Sequence, residues 1–160
     1  MANVFIMFGQ GGVITSPGIR ALGKRIRDAG HEIAFYGSRR PDLVEADIRQ
    51  LDASAKIAII GYSLGGNYAA WAADAVYPRA IDLVVAYDPT VNAPIKPLRE
   101  NVKRALCFRQ TGYLLTSALF GRGVLVGPQV EVINATNDHL LVQFDEALHR
   151  RTLAAIGAIA

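Results

Sequence analysis

The sequence predicts an α/β fold, a parallel sheet covered by helices on both faces. Three observations carry this. Apolar segments of strand length alternate with segments whose apolar residues recur at helical spacing. The strand segments are apolar on consecutive residues, as in Ile57-Ala58-Ile59-Ile60, which fits a sheet buried on both sides. The chain has 160 residues, 51% hydrophobic and 19% charged, enough for one domain (1–160) with a real core and too few for two.

Taken in order, residues 4–8 read as the first strand, followed by the glycine turn Gly9-Gln10-Gly11-Gly12. Ser16 is placed to cap a helix with Pro17 at its first position. Ile19, Leu22, Ile26 and Ala29 share one face of that helix, and Gly30 closes it. Residues 31–36 form the second strand. Pro41-Asp42 opens a helix with Leu43, Val44, Ile48 and Leu51 inward. Residues 56–60 are the third strand, and a helix over 66–77 ends before Pro78. Strands follow at 81–87, 105–108 and 130–135. A last helix is expected to begin near Asp138, carrying Leu141, Phe144, Leu148 and Leu153.

Composition narrows the function. A formal net charge of +3, with the basic residues scattered, gives no footprint for nucleic acid. The longest apolar runs are strand-length, so no membrane span is expected. The first residues, Met1-Ala2-Asn3, lack the basic region of a signal peptide. Cys107 is the single cysteine, reads as a small core residue, and suits a reducing cytoplasm. The oligomeric state is not encoded in any of these features.

In a parallel sheet the loops after the strands carry the chemistry. Gly61-Tyr62-Ser63-Leu64-Gly65 directly follows the third strand and precedes a helix. A Gly-x-Ser-x-Gly in that context is a nucleophile elbow, a tight turn that lifts the serine above the sheet. The competing reading makes Ser63 only a helix cap. A serine hydroxyl needs a base, and the base an orienting acid. Of three histidines, His139 lies in the loop after the last strand and is the candidate base. His31 begins a strand on the far edge, and His149 is expected on an exposed helix face. Asp88, in Ala86-Tyr87-Asp88-Pro89-Thr90, ends the fourth strand and is the candidate acid, against a plain Asp-Pro turn. Asp138 competes but is adjacent to His139 in sequence. Asp74, Asp82 and Asp145 are expected in solvent. Oxyanion donors are expected from the N–H of Leu64 and from Gln10 or Gly11. Tyr62 and the apolar segment 112–128, with Tyr113, Leu114, Leu115, Leu119, Phe120, Val124 and Leu125, are candidate substrate contacts; the segment otherwise packs on the core.

These motifs resemble the α/β-hydrolase superfamily, in the small lid-less form of lipase- and thioesterase-like domains. The resemblance rests on residues 9–12 after strand one, residues 61–66 after strand three, Asp88-Pro89-Thr90, Asn101-Val102 before strand five, and His139. It implies a minimal three-layer sandwich with six parallel strands in the order 2-1-3-4-5-6. It also implies acyl transfer from a small ester or thioester, and no cofactor.

Two rival readings belong to other classes. The first is an NADP-binding Rossmann-type protein, with Arg39-Arg40 meeting a 2′-phosphate. Against it, Ile14 stands where a third glycine would fall, and no tyrosine has a lysine four residues later. The second is a hydrolase-like interaction module without catalysis.

Overall fold

The computed structural model describes residues 1–112 and 120–160. Six strands form one parallel sheet: β1 (Ala2–Met7), β2 (Glu32–Tyr36), β3 (Lys56–Tyr62), β4 (Leu83–Tyr87), β5 (Ala105–Gln110) and β6 (Val130–Ala135). Their order is β2-β1-β3-β4-β5-β6. The helices described are α1 (Pro17–Asp28), α2 (Pro41–Gln50), α3 (Leu64–Ala75) and α4 (Glu146–Ile159).

Alternation along each strand builds two cores. Val4, Ile6, Ala58, Ile60, Leu83, Val85, Leu106 and Phe108 face one side, with Ile19, Leu22 and Ile26 of α1 and Ile156 of α4. Phe5, Met7, Ile57, Ile59, Val84, Ala86, Ala105 and Cys107 face the other, with Val44 and Ile48 of α2 and the alanine face of α3. Buried on both sides, these strands read as continuous apolar runs. Cys107 is a core residue, and burial pushes its thiol up to about 11, so it stays protonated. Among the described residues, no helix is long and apolar enough to cross a membrane.

The strand order differs from the 3-2-1-4-5-6 arrangement of dinucleotide-binding domains. It reverses between β1 and β3. The crevice at that switch point is flanked by the two glycine-bearing turns, after β1 and after β3.

Several local expectations are corrected. Ser16 does not cap α1 with its side chain; its Oγ accepts the N–H of Gly9 at 3.0 Å and pins the turn after β1. Ala29 and Leu43 face outward. The last helix starts at Glu146, not near Asp138. Asp145 caps it by accepting the N–H groups of Ala147 and Leu148. Asp138 instead accepts the N–H groups of Leu140 and Leu141, and a 3-10 turn, Val142–Phe144, follows. Leu141 and Phe144 are therefore half exposed. His149, expected in solvent, is buried on α4 against Tyr87, with Nε2 donating to the Gln143 carbonyl at 2.7 Å.

Asp82 and Asp74 are not simply solvated either. Asp82 is 6% exposed, accepts the Ile57 N–H at 3.0 Å, and pairs with Lys103 at 2.7 Å. Asp74 pairs with Lys96 and Arg99. Val124 and Leu125 pack in the core under α3 rather than walling a cleft.

Candidate active site

Tyr62 and Tyr87 are register partners at the ends of β3 and β4. The next residues, Ser63 and Asp88, therefore stand on neighbouring strands one rung beyond the sheet. Their N–H groups still bond across it, Ser63 to the Tyr87 carbonyl at 2.8 Å and Asp88 to the Phe108 carbonyl at 2.7 Å. Adjacent strands lie about 4.8 Å apart, close enough for one imidazole to bridge the two side chains. His139 fills that gap. Its Nδ1 lies 2.6 Å from Asp88 Oδ2 and its Nε2 2.9 Å from Ser63 Oγ. A carboxylate can only accept, so Nδ1–H donates to it, which leaves Nε2 to accept the serine hydroxyl.

The elbow is held by contact on both sides. A Cβ on Gly61 would meet the Gly65 carbonyl at 2.2 Å, and one on Gly65 would meet the Met7 and Phe8 carbonyls at 2.4 Å. Only hydrogen fits where the strand, the turn and α3 press together. Ser63 has φ 52 and ψ −124, a backbone conformation an L-residue adopts at a cost of roughly 1–3 kcal/mol.

Three described non-glycine residues have positive φ: Ser63, Asp88 and Arg122. All three meet at one place. Asp88 Oδ1 accepts the N–H of Gln110 at 3.1 Å and of Arg122 at 2.9 Å, while Oδ2 faces His139. Three donors thus fix a carboxylate that is fully buried. Gly121 closes over the pair; a Cβ there would lie 1.9 Å from Asp88 Oδ2 and 2.8 Å from His139 Nδ1. Neither Gly121 nor Arg122 was legible as a site residue, because no motif marks a contact made 34 residues away.

His139 is 4% exposed and its loop is braced. Tyr62 donates its hydroxyl to the His139 carbonyl at 2.9 Å, and the two rings stack at 5.4 Å. Burial pushes the Tyr62 phenol up, so it remains a donor. Tyr62 thus touches the cavity but is committed to holding His139. Gln143, from the 3-10 turn, bonds the Gly18 N–H and the carbonyls of Thr15 and Leu140, tying α1 to the same loop.

A cavity of about 350 Å³ opens in front of Ser63. Gln10, Leu64, Phe120 and Leu140 line it with Thr90 and Arg39. Tyr113 and Leu114, expected as substrate contacts, lie outside the described residues. Asn67 secures the opposite rim: its amide donates to the Thr90 and Ala93 carbonyls and accepts the Thr90 N–H.

No protein-family model matches the chain, nor does the sequence of any curated protein. Solved structures do match over 99% of its length. One is a protein from Xanthomonas campestris pv. campestris assigned to the α/β superfamily of hydrolases, with TM-score 0.59, 14% identity and 97% of that chain covered. Another is YbtT, the type II thioesterase of the yersiniabactin NRPS/PKS biosynthetic pathway, in a serine-to-alanine variant, with TM-score 0.59, 9% identity and 94% covered. The six parallel strands, their order and these likenesses define the fold as a minimal α/β-hydrolase fold.

Proposed function

We propose that the protein is a serine hydrolase that cleaves a small carboxylic ester or thioester through Ser63, His139 and Asp88. The observation that carries this is the chain of two short contacts, Ser63 Oγ to His139 Nε2 and His139 Nδ1 to Asp88 Oδ2, at a strained turn opening onto a cavity. His139 takes the serine proton as Oγ attacks the acyl carbonyl. It then returns that proton to the leaving oxygen or sulfur, giving an acyl-enzyme. Water, activated by the same imidazole, releases the acid. Asp88 holds the ring in the tautomer this needs.

The oxyanion donors follow from which N–H groups are already used. Leu64 opens α3, so its N–H has no partner within the helix. In the turn after β1, the N–H of Phe8 bonds the Tyr36 carbonyl and that of Gly9 bonds Ser16. Gln10 and Gly11 remain, and of the two Gln10 lines the cavity. The fold shared with a type II thioesterase supports thioester as well as ester cleavage.

The test is labelling with a fluorophosphonate together with p-nitrophenyl ester turnover. The parent should label and turn over, and Ser63→Ala should lose both while melting as a folded protein. Undiminished labelling of folded Ser63→Ala would falsify the assignment.

A further inference from the structure

The cavity in front of Ser63 carries one fixed charge. Among its lining residues are Gln10, Thr15, Thr90 and Asn92, with Tyr62, Leu64, Phe120 and Leu140, and no carboxylate. The residues outside the described part, 113–119, contain no charged side chain in their sequence. Arg39 is the exception. It sits in the turn after β2, which is closed by the Arg40 N–H bonding the Gly37 carbonyl.

The two adjacent arginines are used differently. Arg40 grips Asp42 through Nε and Nη2, at 2.8–3.2 Å. Arg39, an exposed residue at the rim of the cavity it lines, has no ion pair or hydrogen bond with any described residue, so its guanidinium is not committed elsewhere among them. Asp88, the acid nearest the reacting serine, is sealed beneath His139 and Gly121 and cannot neutralise it. A guanidinium presents a planar fork of donors that fits a carboxylate or phosphate oxygen pair.

We infer that Arg39 is a specificity residue and that the substrate is an anionic acyl compound, with a carboxylate or phosphate-type group held by Arg39 while Ser63 faces the scissile carbonyl. This rests on the hydrolase reading above and adds the substrate's charge to it. The anion belongs either to the acyl part or to the leaving group, and the two are separable by experiment.

The test compares matched pairs in the parent, Arg39→Gln and Arg39→Lys. For the acyl part the pair is p-nitrophenyl butyrate and mono-p-nitrophenyl succinate. For the leaving group it is phenyl butyrate and 4-sulfophenyl butyrate. The quantity read is the ratio of kcat/KM, anionic over neutral, so intrinsic reactivity cancels between variants. In one pair Arg39→Gln should lower that ratio by about tenfold or more, the worth of a charge-assisted contact. Arg39→Lys should keep part of it, because the charge survives without the fork.

A second measurement does not need turnover. N-aryl succinamate and N-aryl butyramide are titrated into Ser63→Ala, with and without Arg39→Gln, and sulfophenyl butyramide serves the leaving-group arm. Tighter binding of one anionic amide that disappears with Arg39→Gln supports the inference, even if no ester is cleaved and the hydrolase reading falls. Equal ratios and equal binding in both arms would overturn the inference while leaving Ser63 labelling, and so the hydrolase reading, intact.

Discussion

A single methyl group at Gly121 should disable the proposed site without replacing Ser63, His139 or Asp88. The Cβ of an alanine there would stand 1.9 Å from Asp88 Oδ2 and 2.8 Å from both Asp88 Cγ and His139 Nδ1. Gly121 does not occupy the left-handed region, so its backbone accepts alanine and the effect is steric alone. Ordinary contact begins at 3.4 Å, and the carboxylate is already bound by Gln110 and Arg122. Oδ2 must retreat by about 1.5 Å, or the segment carrying Arg122 must lift by as much. Either motion breaks the 2.6 Å bond to Nδ1 or removes the Arg122 N–H that aims the carboxylate. Misplacing a catalytic group by an ångström costs about 100-fold, and losing tautomer control about 10,000-fold, so Gly121→Ala should lower kcat within that range. KM should change less than kcat, because His139 and Asp88 act in the transition state on the proposed reading. Overpacking should cost about 1–3 kcal/mol of stability, leaving a cooperative but lower melt. Steady-state kinetics on p-nitrophenyl butyrate, with circular dichroism melting on the same samples, reads both. A folded Gly121→Ala enzyme with the parent kcat would refute the reasoning, since it would mean Asp88 is free to move without consequence.

Two further outcomes concern stability and pocket size. Burial lowers the pKa of His149 below 6.5, so its contribution is fully present above pH 6.5 and falls as the pH drops, because the unfolded chain takes the proton first. Burial would raise Asp82, but Lys103, the Ile57 N–H and Lys56 together hold it below 3.8, so its contribution persists to lower pH and is lost only near and below pH 3.8. Melting temperature should therefore fall in two stages on acidification. His149→Gln should flatten the upper stage, and Asp82→Ala should cost about 1–3 kcal/mol at neutral pH by stranding the Ile57 N–H; an unchanged slope in His149→Gln would contradict the first assignment. The cavity of about 350 Å³ lies at the low end for small-molecule sites, so turnover should favour short acyl chains with no jump at a lipid interface. An optimum at long-chain p-nitrophenyl esters, or a rate jump above the micellar concentration, would sink this.

What the sequence revealed was local. Residues 57–60 and 83–87 read as buried strands because sheet alternation fills both faces with apolar side chains, and that signal lies within each segment. The elbow was legible for the same reason, since strand, turn glycines and helix are contiguous in Lys56 to Ala75. Misreadings came where distant parts of the chain decide. Leu141, Phe144 and Leu148 looked like one helical face until Asp138 and Asp145 divided the segment into two capped turns. His149 lies inward beside Leu148, where its Nε2 meets the Gln143 carbonyl of the preceding turn. Asp82 looked solvated because its partners, Ile57, Lys56 and Lys103, are at least 21 residues away in sequence. The hold on Asp88 by Gln110 and Arg122 is equally distant.

The position of Asp88 beside Ser63 follows from the sheet itself. Because Tyr62 and Tyr87 are paired, the two residues beyond them are one strand spacing apart, about 4.8 Å. One imidazole reaches both, at 2.9 and 2.6 Å. The equivalent rung on β5 is a further strand spacing from Ser63, and there the chain has Arg109, followed by Gln110 and Thr111, rather than a carboxylate. Instead β5 contributes a backbone donor, the Gln110 N–H, to Asp88 just beyond β4. His139 lies on the loop after β6, which must return past the ends of β5 and β4 to reach Ser63 beyond β3. The brace from Tyr62 to the His139 carbonyl fastens that returning loop to the strand bearing the serine. The six-strand order therefore sets Ser63 and Asp88 side by side, and leaves His139 to be fastened by the contact from Tyr62.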